Sequence, residues 1–174
     1  MPRTRSTLVR LLLVALALAA CAPGGPQPIA YGEENCDYCR MTITDARFGA
    51  ELVTPKGKLR KFDSVECLAS AYLQGRGAAG GTGGAGTAWV SDFSRPGTFL
   101  RADSARFVRG SDVSSPMGLG VAAFGSEDEA RAAQARGGEP MTWEQVLELV
   151  ERTGDLHGAA RAAPHGAEGH DAAR

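Results

Sequence analysis

The sequence predicts an α+β protein: two small ββαβ-like lobes with antiparallel sheets, placed after a cleaved lipoprotein signal and a flexible tether. Three observations carry that expectation. Short apolar runs alternate with period two, as strands with one buried face require. Asp63, Ser126 and Thr142 are each followed three positions later by Glu or Gln, the pattern that opens helices. A glycine-rich stretch then divides these elements into two groups of similar order, although no sequence repeat links the halves.

The elements follow in chain order. Residues 1–20 hold Arg3, Arg5 and Arg10 with no acid, and Leu11–Leu18 is unbroken apolar sequence. That run is shorter than the roughly 20 residues of a membrane-spanning helix, and it fits the apolar centre of a secretory signal. "LAAC", Leu18–Cys21, resembles a lipobox, in which Cys21 carries the acyl chains and becomes the first mature residue. This reading hangs the mature protein on a membrane, facing the periplasm. Ala22 after the cysteine points to the outer membrane if the envelope is Gram-negative. Residues 21–28 contain "APGGPQP", which cannot hold a helix and serves as the tether.

The N-terminal lobe is expected over 29–74. "MTIT", "AELVTP" and "KLRKFD" are its strands, with "PKGK" turning between the last two. Asp63 is expected to cap the next helix with Glu66 completing the box, and that helix runs from Ser64 to about Gln74. Residues 75–87 form a flexible linker or insertion; they lack the Lys–Ser/Thr ending of a phosphate loop, so nucleotide binding is not expected. The C-terminal lobe, 88–153, has strands at "AWVSDF", "RFVRG" and "LGVAAF". Its helices open at Ser126–Glu129 and Thr142–Gln145, and Trp143, Val146, Leu147 and Val150 have helical spacing. Residues 154–174 turn to Ala, Gly and His and are expected to be disordered.

Charge excludes one class of partner. Without residues 1–20 the chain keeps 16 basic against 20 acidic residues, a formal charge of −4. Binding to nucleic acid is dominated by Lys/Arg contacts to phosphate, so none is expected.

The chemistry is in the sulfur atoms. "NCDYCRMTI" places Cys36 and Cys39 two residues apart and Met41 two beyond. If Cys21 is acylated, three thiols remain, and an odd number cannot all pair within one chain. Three readings compete. A redox dithiol suits an exported protein, but thioredoxin-type pairs precede a helix, and "RMTIT" is strand-like. Structural zinc wants four Cys or His ligands, and His157, His165 and His170 all lie in the tail. A soft-metal site is favoured by Met41: along a strand Cys39 and Met41 share a face, and thiolate with thioether selects Cu(I). Met117 in "SSPMGLG" sits at a turn between Pro116 and Gly118 and is a further thioether candidate. Met141 is assigned to the core and Cys67, expected mid-helix, to a buried thiol. Asp63 and Glu66 are assigned to capping, because a carboxylate matches Cu(I) poorly.

These motifs together resemble the NosL family of copper-binding lipoproteins accessory to nitrous oxide reductase. The lipobox, "CDYCRMTI", "KFDSVECL" and "RGSDVSSPMGLGVAAF" occur in that order, and the likeness covers about Asn35 to Val150. The resemblance implies the two-lobed fold and periplasmic Cu(I) binding through Cys36, Cys39, Met41 and Met117. It implies delivery toward the enzyme's copper–sulfide centre through a membrane transporter and its periplasmic subunit. Relatives often carry glycine where this chain has Arg40. The expected function is therefore a membrane-anchored metallochaperone and not an enzyme. A membrane-anchored thiol–disulfide oxidoreductase is the alternative, and an interaction module whose cysteine pair staples a turn is a third.

Overall fold

The computed structural model describes residues 25–78, 84–110 and 112–154. The expected signal, the expected acylation site at Cys21 and the tail from residue 155 lie outside these residues. Seven strands and three helices are defined among them: β1 (Ala50–Val53), β2 (Leu59–Phe62), α1 (Val65–Ala78), β3 (Thr87–Asp92), β4 (Arg95–Arg101), β5 (Arg106–Arg109), β6 (Val121–Phe124), α2 (Glu127–Ala135), β7 (Glu139–Met141) and α3 (Trp143–Thr153). The strands make two antiparallel sheets, ordered β2-β1-β3-β4 and β6-β5-β7. The order ββαβ thus occurs twice, as expected. None of the described helices is long and apolar enough to cross a membrane.

Strand β1 is interior to its sheet and buried along its whole length. Ala50 and Leu52 enter the apolar core, whereas Glu51 points to the opposite face. That face is covered by the segment before β1, and the Gln27 N–H donates to Glu51 Oε2 at 2.8 Å. Burial raises the Glu51 carboxyl above its ordinary pKa, with the Gln27 hydrogen bond opposing.

The two sheets share one core. Leu52, Phe62, Val65 and Leu68 from the first half pack in a continuous cluster with Phe107, Val121, Val146 and Leu147 from the second. Each such side chain contributes about 1.5–3 kcal/mol by leaving water. The seam is aromatic: Tyr72 on α1 meets Trp143 on α3 edge-on at 5.6 Å, and Trp143 also packs on Phe107. A smaller cluster lies under α2, around Phe48, Val108 and Phe124.

Several expectations change. "MTIT" is not a strand; only an isolated bridge, Asn35 to Thr42, forms there. Strands β4 and β7 were not anticipated, since each is an edge strand containing proline and lacks clean alternation. Helix α1 extends through Gly75 and Gly77 to Ala78, into the expected insertion. Nor does that insertion separate the sheets, because β3 and β4, beyond it, complete the first sheet. Gly86 makes the return possible. Its φ is +124°, and a Cβ there would stand 2.1 Å from the Val53 carbonyl oxygen.

Of the three capping boxes only one forms. Thr142 Oγ1 accepts from Gln145 N–H at 3.3 Å and Gln145 Oε1 accepts from Thr142 N–H at 2.8 Å. Ser126 precedes α2 but makes no side-chain cap bond. At α1 the cap is Ser64, whose Oγ accepts the Cys67 N–H at 3.1 Å, and not Asp63.

Candidate metal centre

The cysteine turn is a closed loop. Cys36 N–H donates to the Met41 carbonyl at 2.8 Å, and Arg40 N–H to the Cys36 carbonyl at 3.1 Å. Closing so few residues requires a left-handed position, and Arg40 takes it with φ +69°. The turn is then fastened to β2, where Asp37 N–H donates to the Lys61 carbonyl at 2.8 Å. Its sulfur atoms therefore face the place where β2 ends and α1 begins.

The cap shift supplies the other half. With Ser64 as N-cap, Cys67 falls in the first turn of α1 rather than mid-helix, and Asp63 is released from capping. Cys36 Sγ, Cys39 Sγ, Cys67 Sγ and a carboxylate oxygen of Asp63 all lie within 4.8 Å of one another. Cys36 and Cys67 are fully buried and Cys39 is half-buried, so the group opens to solvent on the Cys39 side. Cys39 Sγ–H donates to Asp63 Oδ2 at 3.2 Å. Asp63 Oδ1 is buried and has no partner among the described residues, leaving an acceptor for a further group. All three thiols are free.

Charge in this group settles on one sulfur. Hydrogen bonds from the Cys39 and Cys67 thiols hold Cys36 well below the usual thiol range, against the opposing pull of burial. The single Cys39 thiol proton lies between Cys36 and Asp63, and the Cys36 contact, followed by burial, pushes that thiol up to about 12. Cys67 is raised as well, first by Cys36 and then by Cys39. Burial, followed by the Cys36 charge, raises Asp63 to about 6. A cation entering this group would displace the remaining thiol protons, so its affinity must depend on pH. Three thiolates are a soft donor set that suits Cu(I), and the added carboxylate also admits Zn²⁺.

The residues singled out from sequence fall in three places. Cys36 and Cys39 are in the cluster. Met41, two residues beyond Cys39, is the exposed large hydrophobic among the described residues, 43 % accessible. Because Arg40 is left-handed, Cys39 and Met41 do not share a strand face, and Met41 contributes its carbonyl to the turn instead. Met117 does sit at a turn, closed by Gly118 N–H on the Ser115 carbonyl at 2.9 Å. It is only 3 % exposed, however, and packs in the same cluster as Cys36 and Cys67. Met141 is half-buried against that core.

Sequence reasoning missed Asp63 and Cys67. The available signal was the serine inside "FDSVEC". Moving the cap by one residue leaves Asp63 without a helical duty and puts a thiol at the third helical position, where a helix N-terminus favours negative charge.

Comparison with known proteins places the chain in a family and agrees with its fold. The family model described as NosL matches residues 28–150. A solved structure described as the crystal structure of the copper chaperone NosL from Shewanella denitrificans is similar in fold, with a TM-score of 0.54 and 23 % identity over 70 % of this chain and 96 % of that one. No curated protein matches.

Proposed function

Because the chain belongs to the NosL family, we propose that it is a periplasmic Cu(I) metallochaperone, anchored to a membrane through Cys21 and supplying copper for the copper–sulfide centre of nitrous oxide reductase. It binds and transfers an ion and is not an enzyme. The observation that carries this reading is the convergence of three cysteine sulfurs with Asp63 within 4.8 Å. Cys36, Cys39 and Cys67 are its thiolate donors, with the Met117 thioether as a further donor from the shared core and exposed Met41 two residues beyond Cys39.

Transfer follows from the burial gradient. Cys36 and Cys67 hold the ion from below, while the solvent side at Cys39 and Met41 admits an incoming ligand. A partner's soft donor can then bind before the last thiolate leaves. The receiving partner is the periplasmic subunit of a membrane transporter in the reductase maturation machinery. A lipid tether at residues 21–28 would hold donor and acceptor in one thin layer and raise their effective concentration.

The test is an anaerobic titration of the reduced chain with Cu(I) against a chromophoric chelator. One tightly held Cu(I) per chain is expected. Weak, non-stoichiometric uptake would overturn the reading, and catalysis of disulfide exchange by a chain that ignores copper would put an oxidoreductase in its place.

A further inference from the structure

Glu66 takes no part in the transfer chemistry above, yet it is one of the fully buried carboxylates among the described residues. It is 0 % exposed in the first turn of α1, and acids are almost never fully buried unless paired. No cation among the described residues pairs with it. Its Oε1 accepts a hydrogen bond from Ser115 Oγ, 49 residues away, and Oε2 has no partner among the described residues. Burial raises its carboxyl above the ordinary pKa, with the Ser115 bond, the Ser64 side chain and the Val121 backbone among the groups that oppose the rise.

Ser115 is the other half of the device. Its Oγ accepts the Gly120 N–H at 2.9 Å, and its carbonyl accepts the Gly118 N–H at 2.9 Å. One serine therefore holds both limbs of the Pro116–Met117–Gly118 corner. Glu66 holds that serine to the helix, one residue before Cys67. An apolar side chain of similar volume would avoid the cost of burying a carboxyl, so the group supplies direction rather than stability. A turn methionine would ordinarily face water; this one is only 3 % exposed and belongs to the same continuous core cluster as Cys36 and Cys67.

We propose that Glu66 and Ser115 are positioning residues that hold the Met117 thioether as a donor to the Cu(I) ion bound by the cysteine cluster. The inference rests on the copper reading above and extends it to how the distant half of the chain joins the site.

A double-mutant cycle tests it on the full reduced chain, read by Cu(I) competition and, separately, by urea unfolding. Ser115→Ala should weaken Cu(I) binding roughly tenfold or more, as removal of a supporting partner of a metal ligand does. Glu66→Gln, whose amide oxygen still accepts from Ser115, should weaken it less. In a Met117→Leu background Ser115→Ala should add no further loss of affinity, while its effect on the unfolding midpoint persists. Equal losses of affinity in both backgrounds would overturn the positioning role, since they would report general loosening. Unchanged affinity in Met117→Leu, with binding abolished by Cys36→Ser, would also overturn it while leaving the copper reading intact. Failure of the unsubstituted chain to bind Cu(I) would instead remove the copper reading and this inference with it.

Discussion

The two junctions where a strand feeds a helix, Phe62–Asp63–Ser64 and Phe124–Gly125–Ser126, share an outline and differ in content. Both phenylalanines are buried, and both serines stand directly before a helix. At the first junction Ser64 caps α1, Asp63 faces the thiols, and the cysteine turn leans in through Asp37 and Lys61. At the second, the β3–β4 hairpin leans in. Arg95 pairs with the buried Asp92 at 2.7 Å, and a Cβ on Gly125 would come within 3.0 Å of both side chains. The fold offers the same corner twice. Only the loop packed against it decides whether the corner is a sulfur-lined mouth or a closed ion pair.

The largest test of that contrast is binding. Cys67→Ser should abolish stoichiometric Cu(I) uptake in chelator competition, whereas Ser126→Ala at the other junction should leave it unchanged. Retained binding by Cys67→Ser would return the centre to the set read from sequence, Cys36, Cys39, Met41 and Met117.

The next effect is on stability against pH. Asp63 titrates near 6 in the folded chain against an ordinary 3.8. The unfolded chain therefore releases this proton first as pH rises. The stability Asp63 confers is full below about pH 4 and is lost as pH climbs through 6, a change on the order of 2–3 kcal/mol. Metal-free Asp63→Asn should accordingly be the more stable protein at pH 7 and should show a flatter profile from pH 4 to 7 in urea unfolding. A variant whose profile tracks the parent would show that Asp63 is not the strained group at this corner.

Capping gives a smaller difference. Ser64→Ala should cost about 1 kcal/mol in unfolding free energy, and Thr142→Ala a similar amount. Ser126→Ala should cost at most a few tenths, because its side chain makes no cap bond. Equal costs at Ser64 and Ser126 would erase the distinction between the junctions.

The smallest effect sharpens the first junction alone. Arg40 has a left-handed backbone, and its ion pair to Asp37 is long, 3.9 Å, and exposed. Such a pair contributes little. Arg40→Gly should raise stability by about 0.5–1 kcal/mol by relieving the backbone, with Cu(I) affinity unchanged.

Much of this architecture was legible from neighbouring residues. Alternation placed β1 and β2; short strand-like runs placed β3, β5 and β6; the Thr142–Gln145 pair placed the start of α3; and "CDYC" announced a sulfur-bearing turn. Each of these signals is exchanged between residues a few positions apart, through backbone geometry that any similar stretch would share. Edge strands β4 and β7 send no such signal, since an edge answers to the strand beside it. The serine in "FDSVEC" could have been read as the cap, but two caps were locally acceptable. Which one forms depends on what takes Asp63, and that is Cys39, 24 residues earlier.

Sequence alone thus pointed to sulfur as the main donor class: cysteines in an acidic chain, with the histidines confined to the tail. Tertiary structure alone decided which donors meet. Asp63 and Cys67 join the cysteine turn because β2 hands the chain to α1 beside it, and the turn that carries buried Met117 is tied to α1 by the Ser115–Glu66 hydrogen bond. The reason is one of range: local propensity acts over a helical turn, whereas a metal site is a distance between segments that only packing can set.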